Sequence, residues 1–338
     1  MITEIVSVSS ARAEYEAQIT HAAEIIKRGG LVVFPTETVY GLGSDGLSAA
    51  AVRKIFDAKG RPSDNPLILH VAEMESAEKI GQINPTARKI MEKFWPGPIT
   101  VIVKKNDIVP AEVTAGLDTV AIRMPENEIA RKLIKSAGTP VAAPSANLSG
   151  KPSPTAFRHA LDDMNGRVDM IIDGGDCDIG IESTVIDTTS DKPTILRPGG
   201  ITAEMLREIL PDTEVEQHKK EGTEGYKPKS PGMKYKHYAP DAQVILYTTD
   251  QKLAEDITAF REEGKKVGLF KSENSHLSAD IDISWGKDTK DLAKCLFYSL
   301  RRFDELGADV VLCQLPEKKG MWQGVYNRLY KSAGFDVR

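Results

Sequence analysis

Short apolar runs alternate with segments of helical periodicity along most of this chain. Residues 17–27 carry apolar side chains three and four positions apart, which predicts a helix, and the Gly29-Gly30 pair after them is a stop signal. The continuous apolar run 31–34 follows and predicts a buried strand. Because this alternation repeats, the chain is restricted to an α/β sandwich with a mixed sheet.

The same two patterns predict further elements in the first part of the chain. Helices are expected at 49–58, 86–94 and 128–136. Strands are expected at 67–71, 99–103, 119–123, 140–143, 170–172, 183–186 and 194–196. The segment PTETVYGLGSDG, at 35–46, is predicted to be a long loop whose glycines supply positive φ.

A polar, irregular stretch between about Leu210 and Pro240 interrupts the alternation. Its Pro, Gly and Lys residues are typical of a linker. Beyond it the pattern is that of βαβ units, with strands at 244–247, 267–270 and 310–313 and helices at 251–263 and 289–306. A chain of 338 residues is long enough for two domains. We therefore divide it into an α/β domain at 1–210, a linker or lid at 211–240, and a smaller Rossmann-like α/β domain at 241–338.

Charge, cysteine content and hydropathy exclude several classes of protein. The 44 basic and 49 acidic residues give a net charge of −5, so a broad nucleic-acid-binding surface is not expected. The cysteines at 177, 295 and 313 form no CxxC pair, which favours neither a zinc site nor a disulfide framework and suits a reducing cytoplasm. The N-terminus has no apolar signal region, and no run of about 18 apolar residues occurs. We expect a cytoplasmic protein without membrane contact.

The spacing of Gly41, Gly43 and Gly46 matches the dinucleotide fingerprint GxGxxG. That fingerprint requires glycines directly after a strand, whereas PTETVY separates Phe34 from the first of these glycines. This glycine spacing, which lacks the required position after a strand, is the only sequence feature that favours a nicotinamide-binding protein. No GxxxxGK[ST] sequence occurs, so a Walker A loop is not available for ATP.

Cationic side chains stand beside two of the predicted strands. Lys59 and Arg61 lie between a helix and a strand, where they form either an anion site or a solvated pair. In the strand at 119–123, the period of two places Arg123 on the face opposite the apolar side chains. An arginine in that place suits a carboxylate or a phosphate, and an internal ion pair is the equal alternative.

Small polar side chains follow other strands. The segment PVAAPSANLSGKPSPT contains Ser145, Asn147 and Ser153, and such loops bind ligands or form Asx and Ser turns. For His70, near the end of its strand, the default interpretation is a satisfied core or edge histidine. The short motifs Glu182-Ser183-Thr184 and Arg197-Pro198-Gly199-Gly200 open and close two further strands. None of these patterns identifies a site by itself.

Six segments, taken together and in order, resemble the YrdC-like threonylcarbamoyl-AMP synthases. They are PTETVYGLG, KGRPSDNPL, VAIRMP, PSANLSG, GIESTVID and LRPGG. The resemblance covers about residues 13–210, while SPGMKYKHYAP and the α/β region after it resemble the long, two-domain members. It implies a YrdC-like domain with a twisted mixed sheet, followed by the Rossmann-like domain.

The resemblance also implies a reaction. The enzyme would be a nucleotidyltransferase that converts L-threonine, bicarbonate and ATP to threonylcarbamoyl-AMP and pyrophosphate. Its product would serve the N6-threonylcarbamoyladenosine modification of tRNA next to the anticodon, passed on by a tRNA threonylcarbamoyl transferase complex. The implied cofactor is Mg²⁺ bound with ATP, with metal ligands left unassigned, and a weak direct contact with tRNA is an open possibility.

The resemblance assigns roles to individual residues. Threonine would be surrounded by Thr38, His70, Arg123, Ser183 and the main chain at Ala143, with its carboxylate facing Arg123. ATP would be contacted by Arg61, Asn65, Thr119, Ser145, Ser153 and Arg197. Lys59 and Asn147 would complete a KxR and SxN tetrad near the phosphates. Tyr235, His237 or Tyr238 would close over the nucleotide.

Two alternatives from the same fold remain at this point. A hydrogenase-maturation module that uses carbamoyl phosphate would carry acylphosphatase and CxxC zinc-finger regions, which the sequence does not show. A non-catalytic module that binds double-stranded RNA would bind in a salt-sensitive way without nucleotide turnover. The acidic net charge argues against the RNA-binding module.

Overall fold

The computed structural model describes residues 2–8, 12–216 and 238–338. Its helices are α1 (Arg12–Lys27), α2 (Ala49–Lys59), α3 (Met74–Ile80), α4 (Pro85–Phe94), α5 (Ala111–Thr114), α6 (Glu128–Ala137), α7 (Phe157–Met164), α8 (Ala203–Arg207), α9 (Asp250–Glu262), α10 (Thr289–Glu305) and α11 (Trp322–Ser332). Its strands are β1 (Glu4–Ser7), β2 (Val32–Phe34), β3 (Gly41–Asp45), β4 (Ile68–His70), β5 (Gly81–Gln82), β6 (Ile99–Lys105), β7 (Thr119–Arg123), β8 (Val141–Ala142), β9 (Met170–Asp173), β10 (Thr184–Asp187), β11 (Thr194–Arg197), β12 (Glu214–Val215), β13 (Gln243–Tyr247), β14 (Val267–Lys271), β15 (Ile281–Ser284) and β16 (Val310–Gln314).

A 12-stranded mixed sheet forms the frame of the first domain. Its strand order is β1-β9-β2-β3-β8-β4-β7-β6-β10-β11-β12, and β5 pairs with β6. Neighbouring strands are parallel in some pairs, such as β4 with β7, and antiparallel in others, such as β6 with β7. Along β2, Val33 packs into one apolar cluster and Val32 and Phe34 into another, so this part of the sheet is covered on both faces. The mixed-sheet α/β fold predicted from the sequence is confirmed.

The long loop predicted at 35–46 is wrong, because this segment contains strand β3, which pairs antiparallel with β2. The explanation of its glycines by positive φ is also wrong, since Gly43 and Gly46 are not among the residues with positive φ. A Cβ atom on Gly43 would lie 2.6 Å from the Phe34 ring, and one on Gly46 would lie 2.4 Å from Leu69. Close packing therefore requires glycine at these positions.

The second domain is built on a parallel sheet of four strands in the order β13-β16-β14-β15. Helix α9 packs on one face through Leu253 and Ile257. Helices α10 and α11 pack on the other face through Leu296 and Leu329, among others. This Rossmann-like arrangement of parallel strands and covering helices agrees with the sequence prediction, although β15 and α11 were not predicted.

The two domains share apolar packing. Val39 and Ile181 of the first domain belong to the same cluster as Tyr238 and Phe297. The first sheet continues to Val215, because β12 pairs with β11. Residues 217–237, most of the predicted linker or lid, lie outside the described residues. Within the described ranges, no helix is both long and apolar enough to cross a bilayer.

Candidate functional site

A pocket opens where loops of the first domain meet the start of the second. The empty space inside it amounts to about 750 Å³, including open solvent at its mouth. Its polar lining includes Thr36, Lys59, Arg61, His70, Arg123, Ser145, Asn147, Ser149, Ser153, Glu182, Ser183, Arg197 and Tyr238, and Ala143 contributes apolar surface. Most of the residues singled out by the resemblance are therefore brought together in one place.

Some predicted site residues do not line this pocket. Thr38 is fully buried behind it, and its hydroxyl lies 2.9 Å from the hydroxyl of Thr36, which does line the pocket. Asn65 is buried beside Arg61, and Thr119 lies at the far end of β7 from Arg123. Tyr235 and His237 lie outside the described residues, so their predicted contact with the nucleotide stays a prediction.

Strand pairing brings the predicted threonine residues together. His70 of β4 lies opposite Arg123 of β7 and also opposite Val141 of β8. The Ala143 amide donates to the Ile68 carbonyl at 3.0 Å, which fixes the chain just after β8 beside the same strand. The ends of β4 and β7, and the chain that leaves the antiparallel strand β8, thus line one wall of the pocket.

Arg123 forms a buried ion pair that the sequence left as one of two alternatives. Its Nη2 atom lies 2.7 Å from Oε1 of Glu37, and both side chains are about 5% exposed or less. Glu37 belongs to the PTETVYG segment and had been given no role. The guanidinium that the resemblance assigns to the threonine carboxylate is therefore already beside one carboxylate.

His70 is a neutral group in this environment. Burial, with a smaller contribution from the nearby Arg123 charge, lowers the pKa of His70 to about 3. Its Nδ1 atom is buried and makes no hydrogen bond to the described residues. A neutral imidazole next to an arginine can accept or donate one hydrogen bond to a bound substrate without adding charge.

The four residues of the KxR and SxN tetrad form the opposite wall. Lys59, at the last turn of α2, donates from Nζ to the main-chain oxygens of Ser145 and Asn147. The Ser145 hydroxyl donates to Oδ1 of Asn147, whose Nδ2 donates in turn to Leu148 and Lys151 carbonyls at 2.7 and 2.9 Å. Burial, followed by the charge of Arg61, lowers the pKa of Lys59 well below its usual value. In this conformation, Lys59 shapes the loop that carries Ser145 and Asn147.

Arg61 follows the tetrad lysine across a sharp turn. Gly60 adopts the left-handed conformation with φ of 60°, which ends α2 and directs the next residue towards the pocket. Nη2 of Arg61 donates to the Asn65 and Pro66 carbonyls at 3.4 and 3.3 Å. Both bonds are longer than the usual N–H···O hydrogen bond.

Ser183 and Arg197 are joined at the third side of the pocket. Arg197 donates from Nε to the Ser183 carbonyl and from Nη2 to its hydroxyl, both at 3.1 Å. The same hydroxyl lies 2.8 Å from that of Thr100. The pocket therefore receives arginines from three different segments, Arg61, Arg123 and Arg197.

Besides Glu37, the sequence did not predict two further charged residues at this site. Glu182 lines the pocket, and its Oε1 accepts a hydrogen bond of 2.6 Å from the Ser153 hydroxyl. Its Oε2 lies 3.0 Å from Nε of Arg328, a fully buried residue of α11 in the second domain. The Glu182 position had been singled out as part of a short motif, but nothing in the sequence linked it to Arg328.

Metal ligands are sparse in this region. Within residues 2–8, 12–216 and 238–338, no group of three or more His, Cys, Asp or Glu side chains is placed to hold a metal ion. The Glu182 carboxylate is engaged by Ser153 and Arg328. A Mg²⁺ ion that arrives on the phosphates of a nucleotide needs few protein ligands, so this donor set is compatible with one.

The fold is that of a two-domain α/β protein, and three arginines line its pocket. A family model described as "Telomere recombination", for the Sua5, YciO and YrdC proteins, matches residues 24–199, and a model described as "Threonylcarbamoyl-AMP synthase, C-terminal domain" matches residues 201–334. The chain belongs to the threonylcarbamoyl-AMP synthase family, in its two-domain form.

Relatives and a solved structure match over nearly the whole length. The threonylcarbamoyl-AMP synthase of Pyrococcus abyssi is 45% identical, over 99% of both chains. That of Bacillus subtilis is 42% identical, over 97% of this chain and 96% of the relative. The crystal structure of P. abyssi Sua5 complexed with L-threonine is 44% identical and superposes with a TM-score of 0.93, covering 100% of this chain and 99% of that one.

Proposed function

We propose that this protein synthesises threonylcarbamoyl-AMP and pyrophosphate from L-threonine, bicarbonate and ATP, as a nucleotidyltransferase. The observation that carries the proposal is the convergence of Arg61, Arg123 and Arg197 on one pocket lined with serine hydroxyls. Three arginines suit a reaction in which several anionic groups must meet. The names of the relatives support the same substrates.

The reaction needs positioning more than a nucleophilic side chain. The threonine amine adds to bicarbonate to give an N-carboxy carbamate, with loss of water. A carbamate oxygen then forms a bond to the α-phosphorus of ATP, and the bond from that phosphorus to the bridging oxygen of pyrophosphate breaks. Negative charge develops on the phosphoryl oxygens and on the leaving group, so oriented cations and hydroxyls supply most of the acceleration.

The residues of the pocket divide naturally between the two substrates. Arg123, His70, Ser183 and the main chain at Ala143 lie at the sheet wall, where we place threonine. Arg61, Ser145, Ser153 and Arg197 lie around the rest of the pocket, where we place ATP, and Tyr238 lies at its edge. Mg²⁺, carried in as MgATP, would neutralise part of the phosphate charge.

We also propose the setting in which the enzyme works. The described cysteines form no disulfide, which is compatible with a reducing cytoplasm. The product is a reactive mixed anhydride, so direct transfer to a tRNA threonylcarbamoyl transferase complex would protect it from water. A weak contact with tRNA belongs to the same proposal.

The decisive experiment measures pyrophosphate release from MgATP, with threonine or bicarbonate omitted in turn, and identifies the adenylate product by mass. We expect release only when both are present, and a product with the mass of threonylcarbamoyl-AMP. Release that ignored threonine would contradict the proposal and would direct attention to carbamoyl phosphate as substrate. Salt-sensitive RNA binding without any turnover would favour the RNA-binding module instead.

A further inference from the structure

The second domain reaches the pocket through one buried arginine. Arg328 lies on α11, is fully buried, and contacts the first domain with its whole guanidinium. Nε lies 3.0 Å from Oε2 of Glu182, Nη2 donates to the Glu182 carbonyl at 3.2 Å, and Nη1 donates to the Pro198 carbonyl. A planar guanidinium held by several acceptors has one available orientation.

The contact continues from Arg328 to the wall of the pocket. Glu182 offers its second carboxylate oxygen to the Ser153 hydroxyl at 2.6 Å. Glu182 and Ser153 both line the pocket, and Ser153 is only 1% exposed. The order of contacts is therefore Arg328, then Glu182, then Ser153, with each member fixing the next.

The electrostatics of Glu182 agree with this order. Burial by itself raises the pKa of Glu182, but the charges of Arg328 and Arg197 and the hydrogen bond from Ser153 outweigh it, and the net pKa is lowered. The carboxylate is thus ionised near neutral pH, and an ionised carboxylate accepts a hydroxyl hydrogen bond more strongly than a neutral acid does. Among the groups that lower the pKa of Glu182, Arg328 makes the largest contribution.

The backbone makes room for this approach. A Cβ atom on Gly324, one turn before Arg328, would lie 3.3 Å from the Gly199 Cα atom. Helix α11 therefore packs against the chain between Pro198 and Gly200 almost without side chains in between.

A second arginine supports the other side of Ser153, because Arg301 of α10 donates to the Pro152 carbonyl and to Asp163, both at 2.6 Å.

We propose that Arg328 is a positioning residue for ATP: it holds the Glu182 carboxylate, which holds the Ser153 hydroxyl where the nucleotide binds. This inference rests on the proposed function, which places ATP beside Ser153. It gives the second domain a defined part in substrate binding, since the arginine that orders this side of the pocket lies outside the first domain.

The test compares the wild type, Arg328→Lys, Ser153→Ala and the double variant in pyrophosphate release and in calorimetric titration with MgATP. Lysine keeps the charge of Arg328 but cannot form the same fork. We expect Arg328→Lys to raise the KM and the Kd for ATP by about 10-fold. A displacement of about 1 Å in a positioned group can reduce a rate by more than 10-fold, so a small shift of Ser153 is sufficient for this effect. The KM for threonine should stay within about twofold.

The double variant separates positioning from general support of the fold. If Arg328 acts through Ser153, the Arg328→Lys change should cost much less in the Ser153→Ala background. Equal costs in both backgrounds, or equal changes in the KM values of both substrates, would overturn the proposal. Glu182→Asp is a second route to the same result, because it keeps a charge for Arg328 and withdraws the oxygen that Ser153 contacts.

Arg338→Lys is the matched control. Arg338, which is 35% exposed, pairs with the buried Asp256 at 2.7 Å in the second domain, and neither residue lines the pocket. The Arg338→Lys substitution should leave the KM and the Kd for ATP unchanged. A wild type that consumed no ATP would contradict the proposed function, and the calorimetric affinities would still decide the role of Arg328. An Arg328→Lys affinity equal to that of the wild type overturns it.

Discussion

The Glu37 carboxylate lies 2.7 Å from the Arg123 guanidinium, and both groups are buried in the wall of the pocket where we place threonine. Neither carboxylate oxygen of Glu37 has hydrogen-bond geometry with a described residue, so the ion pair is held mainly by charge. A buried pair of this kind is only weakly favourable overall, whereas removal of one partner leaves a costly buried charge. The positive charge of Arg123 is therefore already paired with the Glu37 carboxylate before any substrate carboxylate binds.

Glu37→Gln should make threonine bind more tightly. The substitution preserves shape and leaves the Arg123 charge without its counter-ion, so the substrate carboxylate becomes its main anionic partner. We expect the Kd for threonine to fall by about 10-fold, which corresponds to about 1.4 kcal/mol. Calorimetric titration with threonine measures it. Weaker binding would show that Glu37 instead contacts the substrate amine.

Arg61→Ala should lower the rate of pyrophosphate release on the order of 10²-fold, as loss of other transition-state donors does. The guanidinium lines the pocket, and its hydrogen bonds to the Asn65 and Pro66 carbonyls are long. Arg53→Ala is the control, because Arg53 lies on α2, the helix that precedes Arg61, but is exposed and pairs with Glu112. Steady-state kinetics of both variants decide the matter, and a normal rate in Arg61→Ala would remove Arg61 from the mechanism.

Lys59→Met should damage the loop as well as the chemistry. It removes the ammonium donor from the buried Ser145 and Asn147 carbonyls, which costs about 1–3 kcal/mol for unsatisfied buried groups. Urea unfolding should show this loss, and ATP affinity should fall with it. Lys59→Arg tests the shape of the group, since a planar fork does not fit the same set of acceptors. An unchanged unfolding free energy in Lys59→Met would contradict the bracing role.

His70 should make the protein less stable in mild acid. Its pKa is about 3 in the folded state against 6.5 in an unperturbed chain, so the unfolded state binds more protons between these values. Its full contribution is present above pH 6.5 and is lost as pH falls towards 3. Between pH 6.5 and 5 the wild type should lose about 2 kcal/mol of unfolding free energy from this group.

The comparison of His70→Asn with the wild type isolates the contribution of His70 to the free energy of unfolding. Urea unfolding at the two pH values should show a smaller loss in the variant. His21→Asn is the matched control, because His21 is about half exposed and contacts Glu4 on the surface. The prediction fails if His70→Asn and the wild type lose the same free energy.

Local patterns were sufficient for elements whose buried face is apolar. The helix predicted at 128–136 is α6 (Glu128–Ala137), whose buried positions are Ala130, Leu133, Ile134 and Ala137. Helix α11 was not predicted, because its buried positions include Asn327, Arg328 and Lys331 beside Val325 and Leu329. Buried polar residues interrupt the apolar periodicity by which a helix is recognised in a sequence.

The site shows the same limit. The resemblance named residues in or near six segments and in the linker, and the pocket contains most of those that the structure describes. Glu37, Glu182 and Arg328 were not assigned, because their roles depend on partners distant along the chain, 146 residues apart for Glu182 and Arg328. Spacing in a sequence predicts which residues share an element, but not which charges meet across two domains.

The contact between Glu182 and Arg328 also affects how the molecule melts. If either domain lost its structure first, the other would lose this contact and would expose to water the apolar surface that the two domains share. Neither domain can therefore melt by itself without destabilising its neighbour. A thermogram of the intact chain should show a single heat-absorption peak rather than two, with the domains unfolding together.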